Sequence, residues 1–337
     1  MWTFERSRNE PEFAKLRRPA YCVLAAFLGT LLCGLGPRAA RAVGWRYEVR
    51  AVKPGVFVWL PEDIIEEEGD PLYNRAGTAA FVVTSDGVVV VNATNSPIHA
   101  RELLYEIRQR TSQPVRYLID TGGSSDEALG NEVFADLEAP IVSTPGIQAE
   151  VKIRGESLMA RTNGDVKFQR RLRGIHITPP NETFEGERQL SLGGQSIDLI
   201  AFDPGLHALA VRLPASKVVF LGDLFQNGYI PRLESRDVRR WIDALRTAES
   251  WDAEIYVPGH GEPGGRKEVE DFRQMLEWVA NEVQTRLQEG KTPARIRAEL
   301  VPFKNYDWHA HELEGPLVES LCEQFAAGAG ANPQPKP

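Results

Sequence analysis

Three short stretches of this chain place reactive side chains where an apolar strand ends. The first, Leu118-Ile119-Asp120-Thr121-Gly122-Gly123-Ser124-Ser125-Asp126-Glu127-Ala128-Leu129-Gly130-Asn131, runs from a strand through a turn into a helix. The second, Val218-Val219-Phe220-Leu221-Gly222-Asp223, is an apolar strand ending in Gly-Asp. The third, Tyr256-Val257-Pro258-Gly259-His260-Gly261, sets one histidine between two glycines. Carboxylates and imidazoles are the groups that hold divalent ions and move protons near neutral pH. Nucleotide chemistry is a poor match, because Gly122-Gly123 lacks the further glycine and the lysine of a phosphate-cradling loop.

In this order and spacing the three stretches resemble the metallo-β-lactamase superfamily of metal-dependent hydrolases. The resemblance covers roughly residues 45–290 and rests on Thr121, Asp126, Gly130-Asn131, Gly222-Asp223 and Pro258-Gly259-His260-Gly261. The family's first motif, Thr-His-x-His-x-Asp-His, puts its first two histidines on Gly122 and Ser124. Its Asp falls on Asp126 and its last His on Glu127. Counting back from Leu213-Pro214 puts the family's third metal-binding His at about Pro204, while the bridging Asp matches Asp223 and the final His matches His260.

The resemblance therefore implies an uneven loss. One metal position would be left with Gly122, Ser124 and Pro204, which offer no good donor. The other would keep Asp126, Glu127, Asp223 and His260, all of them competent ligands. A set of three carboxylates and one imidazole suits harder ions than a histidine-rich zinc set does. The expected cofactor is one divalent ion (zinc, manganese or another) or none, with Asp126 as the catalytic residue that activates water. Ser124 and Ser125 have no histidine in any family role beside them and are poor nucleophile candidates.

The same residues have purely structural uses. Asp126, behind Ser124-Ser125, could accept backbone N–H groups at the start of a helix. Glu127 in a first helical turn would favour the helix dipole without any metal. Asp223 could close a turn, and His260 could hydrogen-bond Asp223 directly. Among the other histidines, His207 lies near the third histidine position, but three residues along a strand would put it on the opposite face. Trp308-His309-Ala310-His311 reads as surface or packing, and His99 and His176 have no evident partners.

These residues must be positioned by a body in which short apolar strands alternate with helices. Strands are expected at 47–52, 56–60, 79–84, 88–92, 115–120, 197–202, 208–213, 218–221 and 254–257, several of them β-branched runs bounded by turn residues. Helical periodicity covers 97–110, 126–136, 147–161, 235–249 and 266–289. The helix at 266–289 carries Val269, Phe272, Leu276, Val279 and Val283 as an ordinary core stripe. The pattern of meandering strands followed by strand–helix alternation occurs twice. It predicts an α/β, four-layer αββα sandwich of metallo-β-lactamase type over 43–290, a small helical extension over 291–328, and a disordered tail over 329–337. The segment 61–75, with Glu66-Glu67-Glu68, reads as an acidic loop of the kind that borders sites.

The N-terminus reads as an address. Lys15, Arg17 and Arg18 precede an apolar run from Ala20 to Leu35, and Ala40-Arg41-Ala42 follows. That order predicts a signal peptide over 1–42 cleaved after Ala42, with no membrane span left afterwards and a periplasmic destination, the alternative being an uncleaved membrane anchor. The run is short for a full span. Of three cysteines only Cys322 lies beyond it, which excludes an intramolecular disulfide in the remainder.

The formal charge is −8, and −12 without residues 1–42. An acidic chain argues against nucleic acid as a partner, and Arg170-Arg171-Leu172-Arg173 is too short a basic cluster to reverse that. Two functions remain open. One is a single-metal hydrolase of a small ester, thioester or lactam. The other is an inactive relative whose pocket binds a small ligand or whose surface scaffolds a protein partner.

Overall fold

A computed structural model describes residues 47–61, 76–162, 175–202, 205–233 and 236–330. The expected signal peptide, most of the acidic 61–75 segment, the basic cluster at 170–173 and the last seven residues lie outside the described residues.

Two sheets carry the fold. The first has seven strands in sequence order: β1 (Tyr47–Lys53), β2 (Val56–Pro61), β3 (Ala79–Val83), β4 (Val88–Val91), β5 (Val115–Ile119), β6 (Ile141–Ser143) and β7 (Glu182–Thr183). Its first four strands pair as antiparallel hairpins and the rest add in parallel. The second holds β8 (Glu187–Leu192), β9 (Gln195–Ala201), β10 (Leu209–Leu213), β11 (Val218–Gln226) and β12 (Ile255–His260), in the spatial order β12-β11-β10-β9-β8. Only β11 and β12 pair in parallel there.

The strand alternation explains the layering. In β4, Val89 and Val91 belong to the cluster between the sheets, while Val88 and Val90 face the opposite way. A period of two puts successive side chains on opposite faces, so an all-valine strand must be covered on both. The inter-sheet cluster joins Val58, Val82 and Ile119 of the first sheet to Leu199, Val211 and Phe220 of the second. On the outer face of the first sheet, helix α1 (Pro97–Arg110) buries Leu103, Leu104 and Ile107 against Trp59 and Phe81. Ser96 starts that helix by accepting the His99 N–H, and Pro97 sits in its first turn, where no backbone donor is needed.

The predicted helix at 126–136 is two short ones, α2 (Ser125–Ala128) and α3 (Asn131–Ala135), and α4 (Pro145–Thr162) follows. The outer face of the second sheet is covered by α5 (Val238–Glu249), α6 (Arg266–Gln288), α7 (Pro293–Leu300) and α8 (Glu314–Gly330). Phe272 and Met275 of α6 share one cluster with Ile296, Leu317 and Leu321. The C-terminal helices thus complete the fourth layer. None of the described helices is long and apolar enough to cross a membrane.

Candidate metal centre

The site lies just past the end of β5, at the bulge within β11 and at the end of β12. β11 runs on past the expected Leu221 to Gln226, through a register shift against β12 at Gly222. Gly222 has φ +50°, a left-handed conformation that favours glycine. A Cβ there would meet Thr121 Oγ1 at 2.1 Å. The bulge lets the chain continue as a buried strand while Asp223 joins Asp126 and His260 in one group.

His260 closes β12. Its Nε2 lies 2.8 Å from Asp126 Oδ2 and 3.8 Å from Asp223 Oδ1. One ligand-capable atom from each of Asp126, Asp223 and His260 lies within 4.8 Å of the others. Burial pushes the Asp126 carboxyl up. The hydrogen bond and charge of His260 outweigh that and hold it below the usual carboxylate range. On the far side of Asp223, the buried Arg236 guanidinium stands 3.8 Å from Oδ2 and lies over the Trp241 ring.

Glu127 stands apart from this group. It is fully buried, and Oε1 accepts from Asn92 Nδ2 at 3.0 Å and Thr121 Oγ1 at 3.1 Å, while Oε2 accepts from Ser124 Oγ at 3.0 Å. Burial, then the charges of Asp223 and Asp126, push its carboxyl well above the usual range. Its oxygens also fill space next to two glycines. A Cβ on Gly122 would lie 2.2 Å from Oε2, and one on Gly222 would lie 2.7 Å from Oε1. Ser124 is the residue preceding α2, but its hydroxyl bonds Glu127 and caps no backbone N–H.

A cavity of about 680 Å³ opens beside His260. Its wall includes Tyr229, whose ring packs between His260 (centroids 6.0 Å apart) and His309 (4.8 Å). His309 is held by its backbone: its N–H donates to Gly228 O at 2.8 Å, and its carbonyl accepts from Ile230 N at 3.0 Å. Pro61 and Ala76, which flank the acidic segment in sequence, also line the cavity.

The family model of the metallo-beta-lactamase superfamily matches residues 72–260, more than half of the chain. The chain belongs to that superfamily. A linear primary-alkylsulfatase from Pseudomonas sp. (strain ATCC 19151) is 18% identical over 291 residues, 74% of this chain and 55% of the sulfatase, so the chain spans about half of that relative's length. Two solved structures share the fold. A metallo-beta-lactamase from Pontibacter korlensis aligns with a TM-score of 0.54 at 20% identity, over 69% of this chain and 99% of that one. TMB-1 aligns with a TM-score of 0.54 at 18% identity, over 69% of this chain and 98% of that one.

Of the four residues that the superfamily motif nominates as ligands, Asp126, Asp223 and His260 come together, and Glu127 is engaged by its own cradle of hydroxyls and amide. Gly122 and Ser124 border that cradle, and Pro204 lies outside the described residues. The other histidines have separate partners. His207 Nδ1 stands 3.7 Å from Glu150 Oε2, on irregular backbone before β10 and not in a strand. His311 bonds Glu314 at 2.7 Å. His99 bonds Asn95 at 2.6 Å, and burial pushes its imidazole down to about 4. Sequence reasoning did not single out Arg236 or Tyr229, and it read His309 as surface or packing without placing it beside His260. The pairing of residues 228–230 with 309 joins segments about 80 positions apart, and no local pattern announces it.

Proposed function

We propose that this superfamily member is an exported single-ion hydrolase, in which Asp126, Asp223 and His260 hold one divalent cation beside the 680 Å³ cavity. The observation that carries the reading is the convergence of two carboxylate oxygens and one imidazole nitrogen within 4.8 Å. Three protein donors fit one ion and leave coordination positions for water and substrate, as catalytic sites require. Among the described residues, donors for a second ion are wanting: Gly122 has no side chain, the Ser124 hydroxyl is committed to Glu127, and Glu127 fills the space beside Gly122.

A bound divalent ion would supply Lewis-acid polarisation of an acyl group and a more acidic water. The chain's own residues supply alignment. Asp126, kept ionised by His260, is a weak base whose part is to hold and orient a water by accepting its hydrogen bond. Arg236 holds Asp223 in place from the side away from His260. The substrate class is a small ester, thioester or lactam, and the name of the alkylsulfatase relative adds sulfate esters to the candidates. Export rests on the sequence of residues 1–42 and is tested by sequencing the N-terminus of the protein made in its host, where Val43 is the expected first residue.

The test of the reading is bound metal, measured by elemental mass spectrometry on the chain from Val43 onward and on His260→Ala. About one equivalent in the wild type, lost in the variant, is the expected result. No metal in either protein after loading with Zn²⁺ and Mn²⁺ would reject it and leave a ligand-binding or scaffolding role.

A further inference from the structure

Arg236 is a buried cation whose hydrogen bonds, among the described residues, are made by its backbone alone. Its N–H donates to Leu233 O at 3.0 Å, and its carbonyl accepts from Gln324 Nε2 at 2.9 Å. Gln324 belongs to α8, and its Oε1 accepts the Val238 N–H at 3.0 Å. One side-chain amide of the C-terminal helix thus pins the chain on both sides of Asp237, where α5 begins. The guanidinium lies over the Trp241 ring, 5.2 Å from its centroid. Trp241 is fixed in turn, because it is fully buried and its indole N–H donates at 2.8 Å to the carbonyl of Leu224, the residue after Asp223. So placed, the guanidinium stands 3.8 Å from Asp223 Oδ2. The other oxygen, Oδ1, is the one that faces His260 Nε2 at 3.8 Å, and it accepts a long bond from Gln226 Nε2 at 3.5 Å.

We propose that Arg236 is a positioning residue for the metal centre: anchored by Gln324 of the C-terminal helix, it engages Asp223 Oδ2 and so reserves Oδ1 alone for the ion. The inference rests on the single-ion reading and deepens it. A carboxylate can give a divalent ion one oxygen or two. Giving one leaves a coordination position for water or substrate that a two-oxygen grip would fill. A buried guanidinium without hydrogen bonds is costly unless a carboxylate answers its charge, and Asp223 Oδ2 is that carboxylate. The same cation repels a divalent ion, so its place here does nothing to tighten ion binding. What it supplies is orientation, passed from α8 through Gln324 to the strand that carries Asp223.

The test is titration of the full chain with Co²⁺, followed by its visible d–d absorption, which weakens as the coordination number rises. The wild type is expected to take up about one equivalent, and His260→Ala none. Arg236→Met should still bind the ion, at least as tightly against a competing chelator. Its absorption should fall by about twofold or more as Asp223 turns both oxygens to the ion. Arg236→Lys, which keeps the charge, should recover most of the wild-type intensity. Gln324→Leu changes a half-buried side chain outside the centre. It should move the spectrum in the same direction and add nothing to Arg236→Met, because it acts through Arg236. If Arg236→Met does not fold, the Gln324→Leu spectrum decides alone. An unchanged spectrum in these variants, loss of the ion from folded Arg236→Met, or a lysine variant as altered as the methionine one would overturn the positioning role. Each of those results leaves one wild-type equivalent bound and the single-ion reading standing, whereas a wild type that takes up no Co²⁺ would reject both.

Discussion

Nε2 of His260 lies 2.8 Å from Oδ2 of Asp126, across 134 residues of sequence. The contact ties the loop after β5 in one sheet to the end of β12 in the other. It also settles a choice that the residue types left open, since the near partner of His260 is Asp126 and Asp223 stands a further ångström away. In chelator-treated protein, Asp126→Ala and His260→Ala should each cost about 1–3 kcal/mol in urea unfolding, the cost of leaving a buried polar partner unpaired. The double variant should cost clearly less than the sum, because both changes remove one interaction. Strict additivity would mean that the pair is not coupled.

Gly122 and Glu127 are matched. Because Glu127 Oε2 would lie 2.2 Å from a Cβ at 122, Gly122→His cannot simply restore an imidazole at the motif's first position. The single variant should lose about 1–3 kcal/mol or more, as overpacked cores do. Adding Glu127→Gly should recover part of that loss, although it also strips the acceptor from Asn92, Thr121 and Ser124. Thermal denaturation of the two variants side by side checks this, and a double variant less stable than the single would refute the packing argument.

Most of the frame that holds these residues was legible. Val88–Val91, bounded by Ser85-Asp86-Gly87, could hardly be anything but a strand buried on both faces, and the stripe on α6 named its own core. What escaped has physical reasons. β6 and β7 are three and two residues long, too short for periodicity to register. β8, Glu-Arg-Gln-Leu-Ser-Leu, is a charged edge strand whose polarity hides it. β11 looked as though it ended at Leu221 because Gly-Asp is ordinarily a turn signal, and only the bulge at Gly222 carries the strand through. Glu127 looked like a ligand by position, and its diversion depends on Asn92 and Thr121, which no motif count relates to it.

That bulge supplies its own prediction. Gly222→Ala would place a Cβ 2.1 Å from Thr121 Oγ1 and put an L side chain at φ +50°. Strain of this kind costs of order 1–3 kcal/mol. Since the bulge positions Asp223, the variant should also lose most of its bound metal, whereas Gly290→Ala, at φ +78° in open surroundings, should keep it. Metal analysis of the two variants separates backbone strain alone from damage to the site.

The C-terminal helices should prove inseparable from the body. Leu321 of α8 is fully buried in the cluster that holds Phe272 and Met275 of α6. Leu321→Ala should therefore cost about 2–5 kcal/mol, the range for a large core side chain. A detachable appendage would give a much smaller loss, and the urea unfolding midpoint distinguishes the two.

Asp120 and Asn131 form a buried pair with a proton to account for. Asn131 Nδ2 donates to Asp120 Oδ2 at 2.7 Å, yet Asp120 Oδ1 and Asn131 Oδ1 are both buried without a hydrogen-bond partner. A proton on Asp120 would spare the site an uncompensated buried charge and turn one carboxyl oxygen into a donor. Burial pushes the carboxyl in that direction, up to about 8, with the Asn131 bond only partly opposing it. The folded protein therefore holds this proton more tightly than the unfolded chain, whose carboxyl titrates near 3.8. Stability from this group is fully present below about pH 4 and falls as pH rises through about 8, by a few kcal/mol in all. Asp120→Asn mimics the neutral acid, with an amide N–H in place of the O–H. It should fold, and its stability should decline less than that of the wild type between pH 6 and pH 9. Parallel pH profiles of the two proteins in that window would show instead that Asp120 is ionised when folded.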